Sequence, residues 1–166
     1  DKYSNSALGL AVAYGDVAGI ISLLAQGADI NSTNNTRSTP LIIAARFSRL
    51  ACLKQLLENN AAKDSKNNHG QTALIMAAGK GAVDCVQELL VAGVDTKKKD
   101  SNGLTALMYA IKLLRKDIVL QILEKRQDLV FHLDSKQRTI WHSLSEIFKE
   151  YDKDVLYEGN KICSIC

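Results

Sequence analysis

The chain contains a single proline in 166 residues and only 5% aromatic side chains, which argues against a sandwich of short strands punctuated by proline turns. No apolar run approaches the roughly 18 to 20 residues of a helical membrane span. The N-terminal text, Asp1-Lys2-Tyr3-Ser4-Asn5, lacks the basic-then-apolar pattern of a secretory signal. Four cysteines, Cys52, Cys85, Cys163 and Cys166, are too few for a disulfide scaffold in a chain this long, so a reducing compartment, cytoplasmic or nuclear, is expected, with the cytoplasm taken as the location. The net charge of +3 is mild and its Lys and Arg are dispersed; no basic block is present to follow a phosphate backbone, and nucleic acid is not an expected partner.

Catalytic chemistry is equally short of residues. His69, His132 and His142 stand alone, without a second histidine at metal-ligand spacing. There is no glycine-rich phosphate loop and no nucleophile elbow. No enzyme activity, metal or cofactor is expected. Cys52 and Cys85, 33 residues apart, read as small core hydrophobes and not as a redox pair.

What the chain does have is 46% apolar residues, rich in Leu, Ala, Ile and Val, which suits packed helices and an all-α class. It also repeats itself. Leu8, Leu41, Leu74 and Leu107 fall at steps of 33 residues, the kind of period that marks a solenoid. Two copies are clearest: Asn67-Asn68-His69-Gly70-Gln71-Thr72-Ala73-Leu74 and Asp100-Ser101-Asn102-Gly103-Leu104-Thr105-Ala106-Leu107.

The physics of one unit accounts for its residue types. Thr39, Thr72, Thr105 and Thr139 stand where a hydroxyl can cap a first helix, and Pro40 stands where a missing N–H costs nothing. Ala44, Ala45, Ala77, Ala78 and Ala110 keep that inner helix thin enough for neighbours to stack. Second, outer helices are expected near 18–26, 51–59, 84–92 and 117–125, each with an apolar stripe. Gly27 and Gly93 should end two of them in a left-handed turn. Gly70 and Gly103 should serve the loop turns, while Ser4, Arg37 and Gln137 at the equivalent positions should leave three loops less regular.

This text resembles the ankyrin repeat, with its Asp-x-x-Gly turn, Thr-Pro-Leu-His start, Ala-Ala helix, Leu-Leu helix and Gly-Ala-Asp ending. The resemblance implies a solenoid of stacked helix-turn-helix units with loop fingers over residues 1–159, repeats near 1–33, 34–66, 67–99 and 100–133, a capping repeat at 134–159, and a tail at 160–166. The histidine of the family motif is replaced by Gly9, Ile42, Ile75 and Met108 and returns only as His142, so the polar network around it should be largely missing.

The resemblance further implies a protein-binding scaffold or adaptor, expected to be monomeric, that uses its finger tips and exposed inner-helix face. Carried over by position, the candidate contacts are Tyr3, Tyr14, Arg46, Phe47, His69, Lys80, Leu104, Lys112, Leu113 and Arg138. The surrounding set, with Lys2, Lys136 and Glu146 added, holds six Lys or Arg and one acid among aromatic and apolar groups. A partner segment that is acidic with apolar anchors should fit it.

The last four residues, Cys163-Ser164-Ile165-Cys166, fit a Cys-a-a-X prenylation box, although Cys is outside the usual choices for X. Chance pairing, a transient dithiol or half of a zinc site are the other readings. Membrane association is expected only with a lipid on Cys163, and one chain alone gives marginal, reversible attachment. An ankyrin array with such a box is similar to host-directed effectors of intracellular bacteria. Asp1 is not a start methionine, which keeps open an ankyrin fragment of a larger enzyme.

Overall fold

The computed structural model describes residues 6–125. The chain divides into two compact units, residues 1–122 and 123–166, and the first holds nearly all of the described residues. The expected capping repeat at 134–159, Thr139, Gln137 and the tail lie outside them. Within the described residues run eight helices and no strand: α1 (Ala7–Tyr14), α2 (Val17–Ala25), α3 (Pro40–Arg46), α4 (Leu50–Glu58), α5 (Ala73–Lys80), α6 (Val83–Val91), α7 (Ala106–Lys112) and α8 (Lys116–Lys125). The outer helices α2, α4, α6 and α8 begin one residue earlier than the periodicity predicts.

Each inner helix starts on a hydroxyl. Ser6, Thr39, Thr72 and Thr105 take extended backbone angles and accept a hydrogen bond from the amide three residues on, at Gly9, Ile42, Ile75 and Met108. Pro40 occupies the first turn of α3, where its ring angle is already helical. The inner helices then stack in order, α1 on α3, α3 on α5 and α5 on α7. Ala44, Ala45, Ala77, Ala78 and Ala110 are fully enclosed at these contacts.

The outer helices close the core from behind. Ile20, Leu53, Val86 and Val119 fall in one row, Leu56, Leu89 and Ile122 in a second, and all are buried. Cys52 and Cys85 belong to this core and are buried free thiols. Burial raises the pKa of both; Asp84 and Glu88 add to it at Cys85, which is pushed up to about 11. In the motif-histidine column, Ile42 and Ile75 are buried and packed among apolar groups, whereas Met108 is exposed.

The loop of the second repeat corrects the sequence reading. Arg37 stands where its neighbours have glycine, yet it adopts the same left-handed angle, φ 56° against 70° at Gly70 and 76° at Gly103. Its loop is as regular as theirs, because the side chain of Asn34 accepts hydrogen bonds from the amides of Thr36 and Ser38. Asn67 holds His69 and Gln71 in the same way, and Asp100 holds Asn102 and Leu104. The Asx side chain sets the turn and Arg37 bears the strain.

A left-handed residue also links each inner helix to its outer partner: Gly15, Ser48, Gly81 and Leu114. Gly27 and Gly93 end α2 and α6 as expected, and Asn60 does so for α4 at φ 60°.

Two outcomes are expected. Ser48 is exposed, with φ 54°, so Ser48→Gly relieves strain without uncovering core and should raise stability by about 0.5–1 kcal/mol, read as a higher urea midpoint at unchanged m. In the native protein Cys52 and Cys85 should resist a thiol reagent at neutral pH, and both should react once the chain is unfolded.

Candidate partner-binding surface

Three loop fingers and the inner helices build one continuous face. The Asn68 amide donates to the Thr36 carbonyl at 2.9 Å and the Ser101 amide to the His69 carbonyl at 2.9 Å. These bonds tie each finger to the one before it. Asn68 Nδ2 adds a bond to the Asn35 carbonyl.

The repeat places the candidate residues in columns. Tyr14, Phe47, Lys80 and Leu113 share a register at the ends of α1, α3, α5 and α7, and all four are exposed. Tyr14 is 81% exposed and Phe47 49%, unusual values for aromatic groups in a folded domain. The neighbouring column is Ala13, Arg46, Gly79 and Lys112. The Arg46 guanidinium lies 5.6 Å from the Phe47 ring centroid, a cation–π stack that holds both side chains at the rim.

Between fingers and helices runs a groove of about 340 Å³. Thr36 and His69 line it from the fingers, Arg46, Met76 and Lys80 from the helices, and Tyr109 from the next repeat. Of the expected contacts, the structure therefore brings Arg46, His69 and Lys80 to one groove. Phe47 flanks it, Lys112 and Leu113 continue the face across α7, and Tyr14 begins it on α1. Leu104 is half-buried at a finger base, less open than its position suggests. Tyr3, Arg138 and Cys163 lie outside the described residues.

Tyr109 and Gly79 were not singled out from the sequence. The 33-residue step that puts Tyr109 level with Met76 was the available signal. Its hydroxyl donates to Asp100 Oδ2 at 2.7 Å, which raises the phenol pKa, with burial adding to the effect. Burial alone would raise the Asp100 carboxyl too. The Tyr109 hydroxyl and the Leu104 and Asn102 amides outweigh it and hold the carboxyl below its usual range.

Among the described residues, no group of three His, Cys, Asp or Glu could hold a metal ion, and no helix is long and apolar enough to cross a membrane. A helical-repeat scaffold with a finger-and-helix face is the class defined by these features. The family model of ankyrin repeats, three copies long, matches residues 8–100 and, in an overlapping register, 50–132. The chain belongs to the ankyrin-repeat family, whose domains in general mediate protein–protein interaction and are non-catalytic. A search of the curated proteins finds no match to it.

Asp100 gives a pH prediction. A folded-state pKa held below the unfolded value contributes stability above the unfolded pKa and loses it as pH falls through the folded one. Asn34 and Asn67 show that an amide can hold this loop. Asp100→Asn should therefore destabilise the protein at pH 7 and have a shrinking effect as the pH is lowered through the carboxylate range, measured by urea titrations at each pH. An effect independent of pH would contradict the charge assignment.

Proposed function

We propose that this protein is a non-enzymatic adaptor which binds a segment of a partner protein on the concave face of its fingers and inner helices. The partner segment is acidic and carries apolar anchors. The adaptor acts as a cytoplasmic monomer and uses neither a cofactor nor nucleic acid.

The observation that carries this reading is the composition of the groove. It spans three repeats, Arg46, His69 and Lys80 line it, and no carboxylate is among its lining residues. The exposed rings of Tyr14 and Phe47 and the exposed Leu113 stand along the same face. Interfaces draw most of their energy from a few aromatic and arginine side chains placed together, and a basic rim steers acidic segments toward them. On the outer helices Lys54 pairs with Glu88 at 2.9 Å. Lipid attachment at Cys163, an effector role and a place within a larger enzyme draw no support from the described residues.

The test uses the partner captured from the protein's native cells. Amine-reactive cross-links to that partner should fall on Lys80 and Lys112 and spare Lys54. The double variant Arg46→Glu with Phe47→Ala should keep the helical circular-dichroism spectrum and weaken the complex at least about 30-fold, the effect of losing one hot spot. Cross-links confined to Lys54, or undiminished binding by the double variant, would sink the concave-face reading.

A further inference from the structure

The groove has a break in its floor. In the column Ala13, Arg46, Gly79, Lys112, the third repeat has no side chain, and the two long cations stand on either side of the gap. Gly79 lines the groove together with Ile75, Met76 and Tyr109. The opening is not a backbone requirement, since Gly79 lies inside α5 with ordinary helical angles. A Cβ placed on it would meet only Tyr109 Cδ1, at 3.8 Å, an ordinary van der Waals distance. Glycine is the poorest helix former apart from proline, so the fold gains nothing from it here. The missing side chain leaves a notch in the groove beside the Tyr109 ring, and Met76 lines the same groove.

We infer that Gly79 forms a specificity pocket that takes one large apolar side chain of the partner segment, with carboxylates three residues to either side of it engaging Arg46 and Lys112. The inference rests on the adaptor reading and names the partner motif. Packed helices are spaced about 8–10 Å apart, so Arg46 on α3 and Lys112 on α7 each lie roughly that far along the array from Gly79 on α5. A segment in the polyproline II conformation advances about 3.1 Å per residue with three residues per turn. Crossing the three helices, it presents the positions three residues before and after the anchor on the anchor's own side, level with the two cations. Lys80, exposed beside Gly79, adds positive charge next to the pocket. Tyr109 is fixed there by its bond to Asp100, so the wall is in place before the ligand arrives and less ordering is lost on binding.

The experiment is a selection from a random library of capped nine-residue peptides on the purified protein, followed by anisotropy titrations of the selected peptides against Gly79→Ala and Gly79→Trp. Selected peptides should carry one large apolar residue with Asp or Glu three positions away on both sides. Gly79→Ala, whose methyl has room, should bind them within about threefold of wild type. Gly79→Trp should lose at least about tenfold, while melting at or above the wild-type temperature because any residue with better helix propensity than glycine favours α5. Equal binding by Gly79→Trp, or acidic peptides without an apolar anchor, would overturn the pocket and leave the acidic-partner reading standing. Selected peptides without acidic enrichment, or none at all, would overturn both.

Discussion

The structure depends on how closely its inner helices approach one another. Ala44, Ala45, Ala77, Ala78 and Ala110 have no measurable exposure because a methyl group is all the space between adjacent helices admits. That spacing reaches well beyond the core. It brings one finger near enough to the next for the Asn68 and Ser101 amides to reach the carbonyls of Thr36 and His69 at 2.9 Å. It also aligns the helix ends, so that side chains 33 residues apart in sequence become neighbours on one face. A larger residue in the alanine column would part the helices, strand buried polar backbone in the fingers and break up the groove.

Much of this was legible because each repeat obeys local chemistry that sequence displays directly. Thr39, Thr72 and Thr105 cap their helices, Pro40 starts its own, and Gly27 and Gly93 turn the chain out of theirs. Arg37 shows the limit of reading by residue type. A non-glycine residue in place of the turn glycine suggests a less regular loop, but Asn34 three residues earlier makes the bonds that fix it. The backbone accepts a cost of about 1–2 kcal/mol instead of changing shape.

The site was legible in outline and not in depth. Period and register say which face a residue is on, and in the structure Arg46, His69 and Lys80 line one groove. They do not say how far a side chain is sunk, so Leu104 stands at a finger position and is half-buried, whereas Tyr109, not among the candidate contacts, lines the groove. Contacts between repeats were also hidden. Arg49 Nε donates to the Ala13 carbonyl at 3.2 Å, reaching back to the end of α1, where the helix dipole is negative. A cation at the start of α4 gives no hint of a partner one repeat earlier.

The repeats also compare themselves with one another, since four copies solve the same folding problem in one chain. The column Leu8, Leu41, Leu74, Leu107 does not vary, and all four residues are buried; any other shape there would disturb two helices at once. The column Ala13, Arg46, Gly79, Lys112 varies completely, and none of its residues is buried. Positions of the second kind can change charge and size while the scaffold stays fixed. That division explains why the fold was readable from the invariant columns and the candidate site only in outline. Arg46 and Lys112, about two helix spacings apart with Gly79 between them, belong to the columns that the repeat leaves free to vary.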